Sequence, residues 1–103
     1  MINDYIQSLE HYLRLFPEIL KSISIEDLEH KVAPDKWSKK EILGHLIDSA
    51  INNLSRFINA QYQNNPIILY NQVEWCKGNF YQIADYNHLI TLWESLNRQL
   101  VFI

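Results

Sequence analysis

The stretch from Trp37 to Phe57 constrains the fold most. Ser38 followed three residues later by Glu41 is a capping box, in which each side chain satisfies a backbone N–H that the first helical turn leaves without a partner. The pattern predicts a helix from Lys39. With His45 set at zero and about 100° per residue, Leu43, Leu46, Ile47, Ala50, Ile51, Leu54, Phe57 and Ile58 spread over roughly 100–240°. His45, Ser49, Asn52 and Arg56 fall within about 40° of zero, at helical spacing. One face is apolar and the other carries a polar stripe led by a histidine. Most such stripes are solvated faces.

Two further long helices frame this one. Asn3 or Asp4 can cap a first helix, along which Tyr5, Ile6, Leu9, Tyr12, Leu13 and Phe16 recur at helical period. Pro17 lacks an N–H and predicts a break or kink at Phe16, with Glu18 to Ser22 as a further turn. Ser24 to Asp27 resembles a weak capping box for a short helix to about Glu29. Trp37 stands where a hydrophobic staple would meet Ile42. The central helix is expected to end near Gln63, before Asn64-Asn65-Pro66. Ile67 to Val73 reads as an irregular apolar wall, and Glu74 to Phe80 as a helical turn broken at Gly78-Asn79. Asp85 is the expected cap of a last helix with Leu89, Leu92, Trp93, Leu96, Leu100 and Ile103 inward. His11 reads as a surface residue and His30 as a helix-end residue favoured by the dipole, while His88 falls in a first turn where positive charge is disfavoured and no motif claims it.

Composition narrows the function classes. A chain of 103 residues has room for one core, and 48% hydrophobic residues make it globular. The net charge of -3, with lysines and arginines dispersed except at Lys36, Lys39 and Lys40, argues against nucleic acid as a partner. No apolar run approaches the ~18–20 residues that span a bilayer. The single Cys76 cannot form an intrachain disulfide and is expected to be a buried thiol. With no basic leader pattern at Met1 to Tyr5, the expected location is the cytoplasm.

Trp-Ser-x-x-Glu-Ile-Leu-Gly-His-Leu-x-Asp-Ser, from Trp37 to Ser49, resembles the signature of the DinB-like superfamily, also called the YfiT type. The likeness continues loosely through Asn52, Asn53, Arg56, Phe57, Tyr70, Trp75, Tyr81, Trp93 and Asn97. The resemblance implies an all-α, antiparallel four-helix bundle of bacterial origin that binds a divalent metal, often zinc or nickel. Its ligands are one histidine of the second helix and a His-x-x-x-His pair on the last. His45 matches the first ligand, and no His-x-x-x-His occurs in the chain. Asp48 and Asn52 are then candidates to orient the imidazole or a bound ligand, with Ser49 and Arg56 beside them on the same stripe.

Residues 1–103 are therefore expected to form one DinB-like domain without its fourth helix, since Leu100-Val101-Phe102-Ile103 ends in mid-stripe with no stop signal. About 40–60 further residues would supply a loop and that helix. The implied activity of the complete protein is a metal-dependent enzyme on a small-molecule substrate, either a hydrolase or a transferase using a low-molecular-weight thiol. The 103 residues alone are expected to be inactive. The competing expectation is a non-catalytic helical module that binds a ligand or pairs with a second copy to cover its apolar faces.

Overall fold

Capping and packing together divide the chain into α1 (Ile2–Lys21), α2 (Ile25–Glu29), α3 (Lys39–Ala60), α4 (Gln72–Asn79) and α5 (Tyr86–Phe102), with a 3-10 turn at Tyr81–Ile83. The computed structural model describes residues 2–64 and 69–103, and no strand occurs among them. The protein is all-helical, as the periodicity predicts.

The caps act as their residue types dictate. Ser38 Oγ accepts from the Glu41 amide at 3.1 Å, while Glu41 Oε1 accepts from the Ser38 amide at 3.2 Å, closing the capping box. Ser24 caps α2 through the Asp27 amide, and Asp85 caps α5 through the His88 amide.

Four local expectations are corrected. Asn3 and Asp4 lie inside α1 and do not cap it, because the helix already starts at Ile2. Nor does α1 break at Phe16; it runs through Pro17 to Lys21. The missing N–H of Pro17 removes one helical bond, but contacts on both sides of it hold the last turn in place. Phe16 stacks on Trp93 of α5 with ring centroids 5.5 Å apart, and the Tyr86 hydroxyl donates to the Leu20 carbonyl at 2.9 Å. Next, α3 stops at Ala60, where the Gln61 and Gln63 amides turn back onto the Ile58 and Asn59 carbonyls. Finally, α4 starts at Gln72 and contains Gly78 and Asn79, with Asn71 capping it through the Glu74 amide. The expected wall has no support in Leu69 and Val73, which face solvent, while Ile67 and Ile68 lie outside the described residues.

The helix α5 packs against both α1 and α3, and α3 also touches α2, α4 and the 3-10 turn. Leu13, Leu43, Ile47, Leu89, Ile90 and Trp93 form the centre of the core, joined by Cys76 and Tyr81 from the α4 side. So α3 is covered on two sides. That explains why Gly44 and Asp48 are buried while Leu46, Phe57 and Ile58, on the expected inward face, stay exposed. Ile42 is 47% exposed and does not serve as the buried half of a staple. The Trp37 ring lies instead beside His45.

A polar clasp fixes the start of α3. Lys40, only 3% exposed, donates to Glu29 Oε1 at 3.0 Å and to the Gln82 carbonyl at 3.1 Å. Gln82 in turn donates to the Glu29 carbonyl at 2.8 Å and accepts from Ser38 Oγ. A buried ammonium is tolerated only when its protons are matched in this way. The clasp ties α2, α3 and the 3-10 turn together, which places Tyr81.

Candidate functional site

The polar stripe of α3 is not a solvated face. Asn52 is buried, His45, Ser49 and Arg56 are half-buried, and Asp48, one turn after His45, is 0% exposed. A carboxylate removed from water needs partners. Asp48 Oδ1 has two, accepting from the Tyr81 hydroxyl at 2.5 Å and from Asn79 Nδ2 at 3.1 Å.

The backbone explains how two residues so close in sequence reach one oxygen. Phe80, between them, adopts φ 55 and ψ 42, the left-handed region, which costs a non-glycine residue about 1–2 kcal/mol. This reversal ends α4 and turns Asn79 and Tyr81 toward the same carboxylate. Gly44 makes room for the result, since a Cβ there would lie 2.1 Å from Tyr81 Cδ2. A glycine inside a helix is unfavourable by roughly 1 kcal/mol relative to alanine, and here it permits close approach of an aromatic ring.

Two buried atoms have no hydrogen-bond partner among the described residues: Asp48 Oδ2 and His45 Nδ1. Each unsatisfied group of this kind costs about 1–3 kcal/mol. They belong to residues three apart on one helix, whose Cβ atoms are neighbours at about 5–6 Å. Burial pushes the Asp48 carboxyl above its ordinary range, while the Tyr81 hydrogen bond and the positive form of His45 act in the opposite direction. The Tyr81 hydroxyl is held protonated, first by burial and then by its bond to Asp48.

Around this pair, the Trp37 ring lies 5.3 Å from the His45 ring at 40°. Ser49 Oγ and the Tyr70 hydroxyl share a hydrogen bond at 2.9 Å, and Tyr70 meets Trp75 of α4 edge-on at 5.5 Å. Asn52 donates to the Asp48 backbone carbonyl at 2.8 Å, and Arg56 to Asn53 Oδ1 at 2.8 Å. Thus His45, Asp48, Ser49 and Asn52 share one side of α3, and the end of α4 with the 3-10 turn supplies Asn79 and Tyr81 as partners of Asp48. Arg56 is a turn further on, bonded to its own helix. Cys76 is buried beside Glu41, and burial with that carboxylate raises its thiol to about 11, so it is no ready nucleophile. Nothing in the pattern around Gly78-Asn79 marks Asn79 or Tyr81 as partners of Asp48. Tyr81 itself was legible only in the loose continuation of the family likeness, and the trace of its packing is Gly44, in mid-helix.

The donor set admits a metal only as one part of a larger site. His45 is a half-buried imidazole, but no group of three or more His, Cys, Asp or Glu able to hold a metal ion exists among the described residues. One imidazole with an acidic neighbour to orient it fits a single ligand position.

The fold and the site define a helical protein in which a half-buried imidazole beside Trp37 lies one turn from a fully buried carboxylate. The chain is 29% identical over 97 residues, 93% of its length, to a protein of Oceanobacillus iheyensis that carries the provisional name metal-dependent hydrolase. It spans 54% of that relative's length. No protein-family model and no solved structure matches the chain.

Proposed function

We propose that the chain belongs to a metal-dependent enzyme of the DinB-like type, with His45 as one ligand of a divalent ion, zinc or nickel. The observation that carries this is the placement of His45: half-buried, against Trp37, one turn from a fully buried carboxylate with an open oxygen. The Oceanobacillus relative, whose provisional name specifies a metal-dependent hydrolase, favours hydrolysis as the reaction. Transfer to a low-molecular-weight thiol is the alternative chemistry on the same site.

Such an ion, when bound, lowers the pKa of a coordinated water or thiol so that a nucleophile is available near neutral pH. The residues of this chain do the rest. Asp48 sets an acceptor oxygen one turn from the imidazole, and the Ser49–Tyr70 hydroxyl pair offers donors and acceptors to a polar small-molecule substrate. Asn52 steadies the Asp48 backbone, and Trp37 covers one side of the His45 ring. The remaining ligands come from outside the described residues. A free, buried Cys76 suits a reducing compartment such as the cytoplasm.

Metal content of the protein purified from its own host tests this. Zinc or nickel near one equivalent in the parent, lost in His45→Ala, is the expected result. A metal-free parent that rejects both ions, or a His45→Ala variant with undiminished metal, overturns the assignment.

A second reading has its own observation. The ends of α1, α3 and α5 meet around an apolar hollow of about 630 Å³, lined by Leu9, Phe57, Leu100 and Phe102 among others, with Phe102 84% exposed. Such a surface favours pairing with a second copy or binding of an apolar ligand. Sedimentation of the 103-residue chain decides the pairing: a dimer supports it and a well-behaved monomer removes it.

A further inference from the structure

We infer that the turn Asn79–Phe80–Tyr81 acts through Asp48 to fix the tautomer of His45, so that Nδ1 carries the ring proton and Nε2 is left open for a ligand. For its bearing on metal, this rests on the reading of His45 given above; the tautomer itself does not.

The inference follows from how the hydrogen bonds are distributed. Asp48 Oδ1 is engaged by two donors from one turn, so the carboxylate cannot rotate freely. Its other oxygen is then held in place as an acceptor without a donor. His45 Nδ1 is buried without a partner one helical turn away, and the two groups interact electrostatically. An imidazole nitrogen is a donor or an acceptor according to tautomer, whereas an ionised carboxylate only accepts. The two atoms do not bond each other as they stand, so with Asp48 ionised a small side-chain rotation or one bridging water brings them together, and either makes Nδ1–H the donor to Oδ2. Trp37 against the imidazole opposes the ring flip that would exchange the nitrogens. Tyr81 and Asn79 are therefore positioning residues, and the left-handed Phe80 is the device that aims both.

The test is nitrogen-15 NMR of the His45 ring in the metal-free 103-residue chain, near pH 8.5, above the ordinary imidazole range of about 6.5. The expected spectrum shows Nδ1 protonated and Nε2 bare. Asp48→Asn keeps an oxygen for Tyr81 and Asn79 but puts an amide donor where Oδ2 stood, so it should invert the tautomer. A parent ring protonated at Nε2, or an Asp48→Asn ring that keeps the parent tautomer, overturns the inference. Should Asp48→Asn fail to fold, the parent spectrum decides alone. Zinc competition with a coloured chelator, run on the complete protein that carries the remaining ligands, is the separate arm, in which Asp48→Asn should lower affinity roughly 10–100-fold. The expected tautomer in a chain whose His45 ignores zinc would leave the inference standing and remove the metal assignment.

Discussion

Asp48 shows what the polar stripe is for. Its carboxylate is surrounded by protein, raised above its ordinary range by burial, and met by a tyrosine and an asparagine on a single oxygen. A solvated face would not need such matching. Cys76, buried on the same side of α3, shows the opposite case of a reactive group made inert. Its native thiol, raised to about 11 from an ordinary 9.0, binds its proton more tightly than in the unfolded chain. That preference supports folding fully below the ordinary value and is lost as the pH rises through about 11. Native protein at pH 8 should therefore react with a disulfide reagent at least ~100-fold more slowly than unfolded protein. Equal rates would show that the thiol is accessible and ionised.

At the level of elements, the segment from α4 to the 3-10 turn depends on one strained residue and one missing Cβ. Phe80→Gly relieves the left-handed backbone and, Phe80 being largely exposed, should stabilise the protein by about 1 kcal/mol in urea unfolding. Gly44→Ala should do the reverse, costing about 1–3 kcal/mol by forcing Tyr81 off α3 and away from Asp48. A neutral Gly44→Ala would mean that Tyr81 does not pack as described. The same elements show what could be read in advance. Ser24, Ser38 and Asp85 announce their helices because capping is local chemistry between neighbours in sequence. The passage of α1 through Pro17 could not be foreseen, because it is held by Trp93 and Tyr86 from the far end of the chain. The start of α4 was hidden by the apolar run Ile67 to Val73, which suggested packing where Leu69 and Val73 instead meet solvent. His45 and Asp48 were legible as candidates from spacing and resemblance. Their surroundings were not, since Tyr81 lies thirty-three positions from Asp48.

On the scale of the whole molecule, α3 organises two unlike surfaces. Toward α5 it builds an ordinary hydrophobic core; toward α4 it buries a polar cluster around Asp48, in which two atoms lack a partner at a cost in stability. At the far end of the three long helices lies an apolar hollow, a candidate for pairing rather than for chemistry. None of the described helices is long and apolar enough to cross a membrane. The proposed role of His45 requires that it present a nitrogen to an ion whose other ligands lie outside the described residues. Zinc titration of the complete nitrogen-15-labelled protein, which carries the remaining ligands, observed at His11, His30, His45 and His88, tests this most directly. Added zinc should shift His45 Nε2 while its Nδ1 proton stays in place, with His11, His30 and His88 responding less. Zinc that moves the surface histidines and leaves His45 untouched would contradict the assignment.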